Sequence, residues 1–282
     1  MEYLKLNNDV KMPVEGLGTF LMSPAEAEAA SLAALEADYE HIDTANAYMN
    51  EKAVGRAIAK SGVARDKLFV STKLWPSVYE AGDAAIEGTL NRLGLDYVDM
   101  LILHQPVGNY LAAWKTMEKA YKEGKVRALG LSNFPQGKIA EVIDHAEIKP
   151  QLVTVECHPC FAQSDLREYL SQYGIVIEAW YPLGHGDKGL QEEPIFTKLA
   201  EKYGKTPAQV ILRWHVQMGT SIIPGSKNPT HIADNADIFD FELTDEEMAE
   251  VAKLDGTKKY YEATEEALAG YLAIKPDFDA QE

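Results

Sequence analysis

The sequence predicts an α/β protein in which eight strand-helix units close into a (β/α)8 barrel of the TIM type. Short β-branched or apolar runs alternate with longer segments of helical period along all 282 residues, and no linker-like or low-complexity stretch divides them. Successive strand ends fall 30, 31, 28, 24 and 24 residues apart, each interval holding one strand and one helix. An open doubly wound sheet is the rival, but Gly16-Leu17-Gly18-Thr19-Phe20 lacks the third glycine of a GxGxxG turn. A single domain over residues 1–282 follows, with a hairpin segment at 1–13 and a C-terminal segment at 255–282 outside the repeat.

Tyr3-Leu4-Lys5-Leu6, the turn Asn7-Asn8-Asp9 and Val10-Lys11-Met12 read as a hairpin that plugs the barrel bottom, its turn residues tolerating positive φ. A strand near Val14 to Gly18 precedes runs ending near Asp43, Lys73, His104, Ser132, Glu156, Trp180 and Ser226. Between them, helical period predicts helices from Pro24 to Glu36, Glu51 to Lys60, Val78 to Leu93, Leu111 to Glu123, Gln136 to His145, Asp165 to Tyr173 and Pro207 to Gln217. Ser23-Pro24, Ser164-Asp165 and Thr206-Pro207 supply starts, a hydroxyl capping the first turn. The last two strand ends lie 46 residues apart, and the Gly-rich run Leu183 to Gly189 within that stretch reads as a ligand-holding loop. A further helix is expected from Glu262 to Leu272.

Composition excludes several classes. With 46% hydrophobic and 25% charged residues the chain is neither disordered nor fibrous. Its net charge of −17 would repel a phosphate backbone, so no nucleic-acid partner is expected. No membrane partner is expected either: the start MEYLKLNNDV is not a signal sequence, and no run approaches the roughly 20 apolar residues of a span. A cytoplasmic protein is expected. Cys157 and Cys160 have CxxC spacing without a second ligand pair, which reads as two reduced thiols and no metal site.

In a closed parallel barrel all strands end at one mouth, so Asp43, Lys73 and His104 converge there. A buried lysine beside a buried aspartate satisfies both charges. Tyr48, five residues after Asp43, reaches the same mouth from the following loop. A nearby ammonium favours a phenolate, so Lys73 is expected to lower the Tyr48 pKa, with Asp43 holding Lys73 and His104 donating to a carbonyl oxygen. Such a group protonates an oxygen as hydride reaches the neighbouring carbon.

These residues sit in motifs that resemble the aldo-keto reductases. Gly16-Leu17-Gly18-Thr19, His41-Ile42-Asp43-Thr44-Ala45 followed by Tyr48, Ser71-Thr72-Lys73-Leu74-Trp75, Leu101-Ile102-Leu103-His104, Gly130-Leu131-Ser132-Asn133-Phe134 and Asp240-Phe241-Glu242-Leu243-Thr244 stand in the family's order, from about residue 4 to about 258. The resemblance implies NAD(P)H-dependent reduction of aldehydes and ketones, with Asp43, Tyr48, Lys73 and His104 as catalytic tetrad and Tyr48 as general acid. It implies cofactor contacts from Thr19 and Phe20, carboxamide contacts from Ser132 and Asn133, and stacking by Trp180. Leu183, Gly184 and Gly186 would fold over the pyrophosphate, and Pro224, Gly225, Ser226, Lys227, His231, Asp234 and Asn235 would meet the adenosine end. Phe20, Trp75 and His104 would line the substrate pocket, with Pro106 to Tyr110 at its rim and the C-terminal tail, carrying Tyr260, Tyr261 and Tyr271, over the mouth.

Two departures carry consequences. Thr154 stands where the family usually places the glutamine that contacts the carboxamide, so altered nicotinamide binding is expected. Members that select NADPH have Lys-Ser at Gly225-Ser226 and Arg at His231, because a 2′-phosphate needs cations. A histidine is mostly neutral at pH 7 and Asp234 suits ribose hydroxyls, so NADH acceptance is predicted, with Lys227 as the one compensating cation. No basic cluster marks the mouth, which favours small neutral aldehydes, ketones or sugars. The alternatives are a cofactor-binding barrel with little turnover and a Cys157/Cys160 redox switch. Oligomeric state is open, and a monomer is compatible with the sequence.

Overall fold

The computed structural model describes residues 1–282. Strands Tyr3–Lys5 (β1) and Lys11–Pro13 (β2) form an antiparallel hairpin with Leu4 opposite Met12, and Asp9 takes φ 66° in the turn. Eight parallel strands follow: Leu17–Gly18 (β3), His41–Asp43 (β4), Phe69–Leu74 (β5), Met100–Leu103 (β6), Leu129–Ser132 (β7), Leu152–Glu156 (β8), Val176–Trp180 (β9) and Ser221–Ile222 (β10). They pair in chain order. A parallel bridge between Glu15 and Ile222, with the Gly16 N–H on the Ile222 carbonyl at 2.9 Å, brings the last strand to the first.

The helices are Pro24–Glu36 (α1), Glu51–Ser61 (α2), Asp83–Leu93 (α3), Tyr110–Lys122 (α4), Gln136–His145 (α5), Ser164–Ser171 (α6), Lys188–Gln191 (α7), Pro194–Tyr203 (α8), Pro207–Gln217 (α9), Pro229–Ala236 (α10), Asp245–Ala252 (α11) and Glu265–Ala273 (α12). Ser23 and Thr206 each close a reciprocal capping box, with Glu26 and Gln209 respectively. Ser164 does not cap: Gln163, at φ 58°, precedes α6, and the Ser164 hydroxyl bonds Asp255 instead.

Strand periodicity explains the layering. Outward residues such as Ile42, Val70, Leu101, Leu131, Val153 and Ile177 join one cluster with the inner faces of the helices. Inward residues at the strands' N-terminal ends, Phe69, Met100 and Leu152, with Ile102 one step further along β6, meet Leu6 and Met12 of the hairpin segment in a separate cluster. That apolar plug fills the bottom of the barrel, so the polar inward positions that follow along each strand come together toward the other end.

The sequence-based elements need four corrections. The helix expected from Val78 starts at Asp83, because Gly82 takes φ 60° and breaks it from a 3-10 turn at Pro76–Val78. The last strand stops at Ile222 and not near Ser226, since Pro224 has no N–H to continue a ladder. In the long stretch between the last two strands, α9 spans the expected Pro207–Gln217, and α7 and α8 stand ahead of it where no helix was expected. Finally, α10 and α11 occupy segments for which no helix was expected. No helix is long and apolar enough to cross a membrane.

Candidate active site

The Asp43 carboxylate, at the end of β4, lies 2.5 Å from the Lys73 ammonium on β5, and both side chains are buried. Lys73 Nζ also donates to the Thr44 carbonyl at 3.1 Å. The second Asp43 oxygen accepts from Ser71 Oγ at 2.7 Å, and that hydroxyl meets His41 Nε2 at 2.9 Å. Gly16 is required here, because a Cβ at that position would stand 2.4 Å from the His41 ring.

Tyr48 ends a 3-10 turn at Asn46–Tyr48 that two asparagines hold. Asn50 donates to the Thr19 and Met22 carbonyls at 3.0 and 3.1 Å and accepts from Thr44 Oγ1 at 2.7 Å. Asn46 Oδ1 accepts the Trp75 N–H at 3.0 Å. The Tyr48 ring thereby sits with its centroid 5.1 Å from Lys73 Nζ and 5.6 Å from the His104 centroid, edge-on at 75°. Trp75 packs edge-on against His104 at 5.1 Å, and Phe20 lies tilted at 51° against Tyr48 at 5.0 Å. Asp43, Tyr48, Lys73 and His104 all line one cleft of about 780 Å³.

Burial pushes the Tyr48 phenol up to about 12, while Lys73 pulls it down and Asp43 pushes it up again. The expectation that Lys73 brings this phenol below its ordinary value is corrected. The ammonium acts in the expected direction, but loss of solvation outweighs an attraction that Asp43 partly cancels. Burial alone would lower Lys73, yet the Asp43 charge, helped by Tyr48 and Glu178, leaves it above the ordinary lysine value and charged. Burial, and then repulsion from Lys73, drops His104 well below the usual histidine range, so the ring is neutral and carries one N–H donor. Its Nδ1 is buried without a protein partner.

Of the residues expected at cofactor or substrate, Phe20, Trp75, Ser132, Asn133, Thr154, Trp180, Leu183, Gly186, Pro224, Gly225 and His231 line the cleft with the tetrad. Thr19, Gly184, Ser226, Lys227, Asp234 and Asn235 do not. Thr19 is buried behind the site, its hydroxyl on the Asp43 carbonyl at 2.9 Å. Gly184, at φ 72°, shapes the strap from outside, since a Cβ there would stand 2.8 Å from Leu190. Asn235 is buried, and the Asp234 side chain is exposed while its carbonyl accepts from Gln209 at 3.0 Å. Between Pro106 and Tyr110 nothing lines the cleft; the rim residue is Gln105. The C-terminal segment does reach the mouth, with Tyr261, Tyr271, Ile274 and Pro276 in the lining and the Trp75 indole N–H on the Ile274 carbonyl at 3.1 Å.

Glu178 and Tyr181 were not anticipated. Glu178 on β9 is buried inside the barrel, accepting from Thr154 Oγ1 at 3.0 Å and Ser221 Oγ at 3.3 Å. Burial, with Asp43 repulsion, pushes its carboxyl up to about 8. Its signal was close to the one that revealed Asp43 and Lys73, a charge in an apolar run, but it stands within the run and not at its end. Tyr181 and His185 stack at 3.9 Å in the strap between β9 and α7. The strap is buckled to the C-terminal segment through Asp187, which accepts from Lys258 and, at 2.6 Å, from the Tyr260 hydroxyl. Buried Glu156 holds the same segment, accepting the Tyr260 and Tyr261 N–H groups at 2.7 and 2.8 Å. Cys157 and Cys160 are free and buried, and burial raises the Cys157 thiol to about 12, which leaves a poor redox switch.

The lining suits a nicotinamide nucleotide. Ser132 and Asn133 offer amide-recognising groups beside the broad Trp180 face, whose N–H donates to Asn133 Oδ1 at 2.9 Å. Gly186, at φ 74°, has nothing within 4 Å of where a Cβ would stand, leaving open backbone for a pyrophosphate.

The family model described as Aldo/keto reductase family matches residues 16–256. The chain belongs to the aldo/keto reductase family. It is therefore an oxidoreductase of carbonyl compounds, with NAD(P)H as the family's reductant. A glyoxal reductase of Bacillus subtilis (strain 168) is 45% identical over 256 residues, 89% of this chain and 92% of that protein. A methylglyoxal reductase of Escherichia coli (strain K12) is 39% identical over 259 residues, covering 91% and 94%. Among solved structures, an aldo/keto reductase from Brucella melitensis superposes with a TM-score of 0.86 at 40% identity, covering 90% of this chain and 99% of that one. A Bombyx mori aldo-keto reductase in complex with NADP gives 0.87 at 32% identity, covering 93% and 95%.

Proposed function

We propose that this chain reduces small neutral aldehydes and ketones with NADH as well as NADPH, Tyr48 giving the proton. The observation that carries this reading is the charged, buried pair Asp43–Lys73 beneath a protonated Tyr48 and a neutral His104 in one cleft. The dihydronicotinamide supplies the hydride when bound. Tyr48 holds its proton firmly at neutral pH, and transfers it to the carbonyl oxygen as negative charge develops there. His104 donates a hydrogen bond to the same oxygen, a neutral donor aimed where charge appears. Lys73 stabilises the phenolate left behind, Asp43 keeps Lys73 in place, and solvent returns the proton to Tyr48. Asn133 and Thr154 would orient the carboxamide and Trp180 would fix the ring.

The lining around Tyr48 and His104 is aromatic and apolar, from Phe20, Trp75, Tyr271 and Ile274, and Lys73 is its one Lys or Arg. That suits small uncharged carbonyls, and relatives are named for glyoxal and methylglyoxal. The same scarcity of cations supports NADH, since neither Gly225 nor His231 offers the fixed charge that a 2′-phosphate requires. The test is nicotinamide absorbance with a panel of aldehydes, ketones, sugars and keto acids and each reduced nucleotide. Carbonyl-dependent consumption, with kcat/KM for NADH above that for NADPH, is expected. A higher value for NADPH overturns the nucleotide assignment, and no consumption with any carbonyl overturns the reductase.

A further inference from the structure

The cleft extends past the strap to Gly225 and His231, and what stands beside that end is the start of α1. A Cβ on Gly225 would lie 3.0 Å from the Gly18 carbonyl and 3.9 Å from the Met22 methyl, so the segment leading into α1 packs directly on this glycine. One turn further on is Glu26, the third residue of α1, whose carboxylate accepts the Ser23 N–H at 2.8 Å in the capping box. The same Glu26 oxygen lies 3.0 Å from Lys227 Nζ, two residues beyond Gly225.

Lys227 is the one cation that this stretch of chain offers an adenosine 2′-phosphate, and Glu26 already holds it. An ordinary exposed ion pair exchanges freely with solvent and contributes little. This one differs because the cap fixes its carboxylate: the Ser23 backbone N–H first, and then Lys227, hold the Glu26 carboxyl down to about 2. A 2′-phosphate entering here would have to take Lys227 from Glu26 and then sit beside the carboxylate it displaced. A ribose with a free 2′-hydroxyl meets neither cost.

We infer that Glu26 is the specificity-determining residue for the nucleotide, selecting against NADPH by engaging the Lys227 ammonium beside Gly225. The inference rests on the reading of the cleft as an NAD(P)H site. Glu26→Gln removes the charge while keeping the capping box, because glutamine serves at that position as well as glutamate, so α1 stays formed.

The experiment is titration of the full chain with NADH and with NADPH, following quenching of the cleft tryptophans Trp75 and Trp180. For Glu26→Gln we expect the NADPH Kd to fall about three- to tenfold, the NADH Kd to change less than about twofold, and the thermal midpoint to hold. The double variant E26Q/K227M should return the NADPH Kd to the wild-type value. An unchanged NADPH-to-NADH ratio in E26Q overturns the inference, and so does a gain that survives in the double variant. If neither nucleotide bound the wild-type chain, the NAD(P)H reading itself would fall and take the inference with it. Intact binding with an unmoved ratio would leave the reading standing and remove only the role of Glu26.

Discussion

Lys73→Met separates the structural from the chemical role of the buried ion pair. With Lys73 and Asp43 at 2% and 1% exposure and 2.5 Å apart, removing the ammonium leaves an unpaired carboxylate inside the barrel. Such a loss costs about 3–5 kcal/mol of stability. The chemical effect is read from Tyr48. An ammonium 5.1 Å from its ring centroid stabilises a phenolate by about 3 kcal/mol at an effective dielectric of about 20. Losing it lowers the phenolate fraction at fixed pH roughly a hundredfold. The sign is clear: the phenol, already pushed to about 12, is pushed higher, so alcohol oxidation, which needs phenolate, moves further into alkali. The assay is oxidation of an alcohol product by the oxidised nucleotide across the alkaline range, beside a nucleotide Kd at each pH. The double variant D43N/K73M supplies the control, since it removes the orphaned charge and should recover part of the lost stability without recovering oxidation. Wild-type oxidation at every pH in a folded Lys73→Met variant would refute the coupling between ammonium and phenol.

Asp187→Asn breaks the buckle to Lys258 and Tyr260, and stopped-flow fluorescence should show nucleotide leaving about two- to fivefold faster; an unchanged off-rate would mean that the strap does not restrain the ligand. Cys157 and Cys160 should stay unreactive toward a thiol reagent in the native chain and both titrate on unfolding, and rapid labelling of the folded protein would contradict their burial.

The parts of the fold that were legible are those where local chemistry and tertiary structure agree. Ser23-Pro24 and Thr206-Pro207 mark helix starts because the cap and the proline act within one turn. Asp43, Lys73 and His104 stood out because charge or imidazole ends an apolar run, and the parallel repeat brings such ends to one mouth. Glu178 gave a similar signal but sits mid-run, and its partners Thr154 and Ser221 come from the two strands flanking its own, so sequence adjacency could not show what it bonds. The sign of the Tyr48 perturbation was out of reach for a related reason. Neighbouring charges can be inferred from motif order, whereas the burial that outweighs them depends on how Phe20 and His104 pack against the ring. Lys227 was read as a compensating cation without regard to Glu26, which is about two hundred residues away in the chain. The glycine-rich strap hid α7 and α8, since Gly184 and Gly186 supply turn signals just ahead of the short helix at Lys188–Gln191.

In the proposed mechanism Tyr48 gives the proton while neighbouring groups hold the reactants, and the sharpest test of that role is single-turnover reduction by Tyr48→Phe. A limiting amount of reduced nucleotide is bound to wild type and variant, a small aldehyde is mixed in, and loss of nicotinamide absorbance is followed. The expected rate constant is about 10²- to 10⁴-fold lower in the variant, with the nucleotide Kd within about twofold of wild type. A variant that reduces the aldehyde at close to the wild-type rate would show that the proton comes from elsewhere.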